Sequence, residues 1–88
     1  MNVKIGGIYT INPNGVCIIL SEIYNTCVLI PNDRHQFELT RDSIIEYCKC
    51  QKYCFIKQDI KTTYFDGYLG LVDGETLEML NDNSFCSF

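Results

Sequence analysis

The sequence predicts a mainly β fold, a small barrel of about five to seven short strands with a short C-terminal helix. Strand-sized apolar runs recur along the front third of the chain, broken by turn signals about every 8–12 residues. Those signals are dense: Asn12-Pro13-Asn14-Gly15, then Tyr24-Asn25-Thr26, then Pro31 closing Cys27-Val28-Leu29-Ile30. Near the other end Asp73 opens a segment with helical spacing. A small barrel is a scaffold for binding, so its chemistry has to be read from the loops.

The first strand is expected over residues 4–11, where Gly6-Gly7 weakens the start and marks a bulge or a close backbone approach. The Asn12–Gly15 turn leads into a second strand from Val16 to Ile23. Asn25 bends the chain into a third, Thr26 to Ile30, which ends at Pro31 because proline has no N–H for a ladder. Asn32-Asp33-Arg34-His35 is a polar loop, and Gln36-Phe37-Glu38-Leu39 alternates like a half-buried strand.

Residues 43–50 also alternate, with Ile45, Tyr47 and Lys49 on one face and Ile44, Glu46, Cys48 and Cys50 on the other. Gln51-Lys52 would join them as a hairpin to Tyr53-Cys54-Phe55-Ile56-Lys57. A short helix over 41–50, capped by Asp42, is the alternative; the β-branched and aromatic content favours the strand. Phe65-Asp66-Gly67-Tyr68-Leu69-Gly70 reads as a turn and short strand. Asp73 is a good N-cap for a helix from Gly74 to Asn81, with Glu75 in its first turn. Leu77 and Leu80 share a face with Met79 beside it, and so short a helix must dock on the sheet. Phe85 and Phe88 read as terminal plugs over apolar surface.

With 88 residues the chain is expected to be one domain with one core. It is 47% hydrophobic and 20% charged, a globular rather than disordered composition. No apolar run approaches the roughly 20 residues that cross a bilayer. Met1-Asn2-Val3-Lys4 lacks a signal-peptide pattern, so a cytoplasmic protein with no membrane association is expected. The net charge is −4, from 11 acidic and 7 basic residues. A nucleic-acid binder needs a basic footprint, so this balance favours a protein partner or a small ligand. Lys49, Lys52, Lys57 and Lys61 form a local basic strip, read as solvated lysines on a strand pair.

Six cysteines raise disulfides and metal. Without a signal peptide the disulfide framework loses its premise. Cys48, Cys50 and Cys54 have Cys-x-Cys-x3-Cys spacing rather than the Cys-x2-Cys of structural zinc sites, and a fourth ligand would have to be His35 or Cys86. No metal or cofactor is therefore expected. Cys48, Cys50 and Cys54 are read as free thiols, and Cys17 and Cys27 as small hydrophobes in strands.

Four segments, in order, resemble the PemK/MazF-like toxins, small SH3-like barrels of bacterial toxin–antitoxin modules. Gly6-Gly7-Ile8-Tyr9 is similar to their opening Gly-Asp-Ile-Tyr strand, and Val16 to Ser21 to their second strand. Asp42-Ser43-Ile44-Ile45 resembles their Asp-Ser-aliphatic segment. Gly67-Tyr68-Leu69-Gly70-Leu71-Val72-Asp73, leading into Glu75 to Leu80, resembles their closing turn and helix. The resemblance implies an SH3-like barrel and metal-independent RNA cleavage. The residues that would cleave differ, however. Asn12-Pro13-Asn14-Gly15 stands where the family has an arginine, and Asn32 and Asp33 follow Pro31 in place of threonine or serine. The nearest substitutes are Arg34, to hold phosphate, and His35, to move a proton. Neighbours in an extended segment point to opposite faces, which argues against one shared site.

The expected function is therefore a non-catalytic binding or inhibitory module, of the kind mobile elements carry, that occupies a host protein partner. Tyr24, Tyr53, Tyr64 and Tyr68 are the candidate contacts, because tyrosine brings large contact area with few rotatable bonds. The alternatives are an endoribonuclease with a displaced site at Arg34 and His35, and a small-ligand binder with a pocket at the barrel mouth or between subunits. Uncovered apolar surface and exposed strands favour a symmetric homodimer.

Overall fold

The apolar run after Gly15 becomes the central strand of one antiparallel sheet. In the computed structural model, residues 2–11, 15–32, 38–50 and 55–82 are described. The strands are β1 (Gly7–Ile11), β2 (Gly15–Ser21), β3 (Thr26–Pro31), β4 (Ile56–Asp59) and β5 (Phe65–Leu71). Helix α1 (Arg41–Cys50) lies between β3 and β4, a 3-10 turn (Ile60–Thr62) follows β4, and α2 (Gly74–Asn81) follows β5. The sheet order is β4-β3-β2-β1-β5. The mainly β class is the predicted one, but the barrel is not closed. β4 and β5 form opposite edges, and no ladder joins them among the described residues.

Alternation along β2 explains its uninterrupted apolar sequence. Val16, Ile18 and Leu20 enter a cluster with Ile8, Val28, Ile30, Ile44, Cys48 and Leu80, so this face lies under both helices. Cys17 and Ile19 enter a second cluster with Val3, Tyr9, Ile11 and Cys27, flanked by Leu29, Ile60 and Phe65. A strand covered on both faces has no polar side to show. The expected single core is thus two clusters on the two faces of one sheet. Asn25 adopts φ 55° in the turn between β2 and β3, and Pro31 ends β3. Gly7 is required by close approach: a Cβ there would lie 2.6 Å from the Tyr9 ring and 2.8 Å from the Lys4 carbonyl oxygen.

The largest correction concerns residues 41–50, which form α1 rather than a strand of a hairpin. Helical spacing sends Ile44 and Cys48, four apart, into the first cluster, while Ile45 and Tyr47 pack partly against it. The cap is Thr40, not Asp42. Thr40 Oγ1 accepts from the Ser43 N–H at 3.2 Å and Ser43 Oγ accepts from the Thr40 N–H at 3.1 Å, a reciprocal capping box. Glu38 and Leu39 carry no strand, because the chain there already turns into this cap. Gln36, Phe37, Tyr53, Cys54, Phe85 and Phe88 lie outside the described residues.

Helix α2 has its predicted boundaries and cap. Asp73 Oδ1 accepts from the Thr76 N–H at 2.7 Å, and Asp73 Oδ2 meets Lys49 Nζ at 2.9 Å, tying the end of α1 to the start of α2. The Lys49 ammonium, and then the Thr76 N–H, hold the Asp73 carboxyl at about 2, below its ordinary range. A carboxyl lowered on folding stabilises the fold fully above its unfolded value, about 3.9. That contribution should fade as pH falls from there and be gone below about 2. The melting temperature of the native protein should therefore exceed that of Asp73→Asn by a margin that closes in this acid window. A margin unchanged down to that pH would contradict the assignment. Both side chains are partly exposed, so added salt should narrow the same margin.

The two sheet edges are guarded. β4 is four residues long and carries Lys57 and Asp59. β5 pairs with β1 through two register shifts, and Arg41 Nε donates to the Leu71 carbonyl at 3.0 Å. Gly70, at φ 136°, leaves room for that arginine, since a Cβ would lie 2.6 Å from Arg41 Cδ. Short, charged and bulged edges discourage strand-to-strand association. Among the described residues no helix is long and apolar enough to cross a membrane.

Candidate functional site

Among the described residues, the turn between β2 and β3 carries the most exposed adjacent pair of large apolar side chains. Ile23 is 85% exposed and Tyr24 is 78% exposed. Sequence chemistry makes this turn stiff. The Tyr24 N–H donates to Ser21 Oγ at 3.1 Å, the Asn25 N–H to the Glu22 carbonyl at 3.2 Å, and Thr26 Oγ1 to the Tyr24 carbonyl at 2.8 Å. Asn25 tolerates the left-handed backbone because its short polar side chain can bond locally. Its amide donates to Asp59 Oδ1, and its carbonyl accepts from the Ile60 N–H at 3.1 Å. Asp59 Oδ1 also accepts from the Lys61 N–H at 2.8 Å, so one carboxylate joins the turn to the 3-10 segment.

Beside this turn lies an open cleft of about 370 Å³, lined by Tyr24, Asn25, Thr26, Lys57, Gln58 and Asp59. One wall is aromatic and the others are polar, with an ammonium and a carboxylate on the same short strand. The site thus combines an apolar tip with hydrogen-bonding groups at its foot.

Among the described candidate tyrosines, Tyr24 and Tyr68 stand on different parts of the sheet. Tyr24 is in the site. Tyr68 lies on β5 at the far edge of the sheet, half-engaged in packing: its ring centroid is 5.2 Å from that of Tyr9, and Lys4 Nζ sits 5.3 Å from its centre. Tyr64, 82% exposed, stands between the 3-10 turn and β5. Tyr53, Arg34 and His35 lie outside the described residues. Ile23, expected to end the second strand, stands instead in the turn, because β2 stops at Ser21. The available signal was Ser21 and Asn25 four apart, residues that close a turn and leave the two between Glu22 and Asn25 at its tip.

The basic strip does not form a single face on a strand pair. Lys49 sits on α1 in its ion pair, Lys57 on β4 and Lys61 in the 3-10 turn, while Lys52 is outside the described residues. Helical geometry also separates Cys48 from Cys50 by about 200° around α1. Cys48 is buried, with its thiol pushed up to about 12 by desolvation, and Cys50 is exposed. Among the described residues no three metal-ligating side chains converge. No protein-family model, curated protein or solved structure matches the chain.

Proposed function

We propose that this chain is a non-catalytic binding module that docks a protein partner through the β2–β3 turn. The observation that supports this is the pairing of high exposure with rigidity: Ile23 and Tyr24 stand in solvent on a turn held at both ends by hydrogen bonds. Exposed apolar side chains on a floppy loop would lose conformational freedom on docking. On a preorganised turn that cost is already met by folding. Tyrosine in particular anchors interfaces, with its ring in an apolar pocket and its hydroxyl hydrogen-bonded.

The bonds that hold the turn use Ser21, Asn25, Thr26 and main-chain groups, so Ile23 and Tyr24 can be changed without loosening it. An Ile23→Ser/Tyr24→Ala double variant should keep the native melting temperature yet bind about 30-fold more weakly, a loss of about 2 kcal/mol. The measurement is capture from the native host with each immobilised protein, followed by titration of the recovered partner. Equal retention by both proteins would sink the reading. The cleft favours a second reading, a small polar ligand held beside Tyr24, which native mass spectrometry of freshly purified protein would register as added mass.

A further inference from the structure

β5 is the longer of the two edge strands, and Asp66 is its sole charged residue, whereas Tyr68 and Leu71 stand exposed on it. Two register shifts bend its course, yet its last residue still presents both main-chain groups outward. Gly7 and Leu71 are register partners, and just outside that pair the Val72 N–H donates to the Gly6 carbonyl at 2.9 Å. Bonds that flank a pair in this way leave the pair itself unbonded, so the Leu71 N–H and carbonyl turn away from β1. Outward groups on an apolar edge are a template for strand addition. We propose that Arg41 is a latch that keeps the β5 edge closed to a second copy of this chain.

The latch is built from both sides. On α1, the Thr40–Ser43 capping box fixes the first turn and sets Arg41 beside the end of β5. Arg41 Nε donates to the outward Leu71 carbonyl at 3.0 Å, taking the acceptor that an incoming strand would need. Arg41 Nη1 meets Asp42 Oδ1 at 3.0 Å, which holds the far end of the guanidinium. On β5, Gly70 supplies the notch: a Cβ there would lie 2.6 Å from Arg41 Cδ and 3.3 Å from its Cγ. The stem thus passes over Gly70, and the guanidinium reaches the edge at Leu71.

Without the guanidinium, the Leu71 carbonyl is open to a donor from another chain. In pure protein the matching edge is a second β5, because β4 is shorter and carries Lys57 and Asp59. Two copies related by a twofold axis would pair β5 with β5, an isologous contact.

The test compares the whole native chain with Arg41→Ala over a range of concentrations. Alanine is the best helix former and the Arg41 side chain is half-exposed, so the variant should keep its far-UV circular dichroism spectrum. Its sedimentation mass should rise with concentration to twice the native value, and its β5 amides should exchange more slowly as it does. In the native protein β5 exchange should not depend on concentration. Arg41→Ala/Leu71→Lys, which puts a charge on the freed edge, should return to the native mass. A folded Arg41→Ala with native mass and native exchange would overturn the proposal. So would association that leaves β5 exchange unchanged, or native protein whose β5 amides are already protected by association. Loss of the folded spectrum in Arg41→Ala would overturn it too, since the arginine would then be a prop for α1.

Discussion

Ile18→Ala should destabilise the protein by about 3–4 kcal/mol, the upper part of the range for truncating a fully buried aliphatic side chain. Ile18 is fully buried in the central strand, in register with Ile8 on one side and Val28 on the other, both also fully buried. Removing its outer atoms opens a void between strands whose ladders hold their spacing, so the walls cannot collapse inward. A domain this small has a stability near the low end of about 5–15 kcal/mol. Most of the margin would disappear. Urea unfolding followed by far-UV circular dichroism should show a midpoint lower by roughly 2–3 M. Ile18→Val, which removes a single methylene, should cost about 1 kcal/mol. A near-neutral Ile18→Ala would mean that this sheet face is loosely packed, contrary to the clusters described.

Ile44→Ala should cost about 2–4 kcal/mol and release α1 from the sheet. Ile44 is fully buried among Val16, Ile18, Val28 and Ile30, and with Cys48 it forms the seam by which the helix docks. A ten-residue helix gains little from propensity and depends on that contact. Ile45, only partly buried beside the same seam, should cost about 1 kcal/mol when changed to alanine. Urea midpoints give the two energies, and amide hydrogen exchange should show α1 protection falling far more in Ile44→Ala. Equal costs at the two positions would contradict a helix docked on Ile44 and Cys48.

That helix is where local propensity and tertiary burial disagree. Ile44, Ile45 and Tyr47 carry high β propensity, and an alternating pattern fits residues 43–50. The helical stripe at 44 and 48 is present in the same residues, as are the Thr40 and Ser43 of the capping box. Both patterns are locally satisfiable. The choice falls to the apolar face of β1, β2 and β3, which is wide enough to need a helix over it. Where a single local interaction decides, as at Asn25, Pro31 and Asp73, sequence and structure agree. The strand cores of β1, β2 and β3 and the whole of α2 follow from such positions. At the candidate site Tyr24 was legible as an exposed aromatic, whereas its partner Ile23 was absorbed into a strand that stops at Ser21.

Local chemistry therefore settles where this chain turns and where its last helix begins, because backbone sterics, a missing N–H and a capping carboxylate act within a few residues. Strand order, the open edges, the separation of Tyr24 from Tyr68 and the placing of Cys17 and Cys27 on one face of the sheet come from folding alone. These depend on contacts between residues far apart in the chain, driven by burial of apolar area that carries no directional signature in the sequence. The same burial turned residues 41–50 into a helix despite their β-favouring side chains.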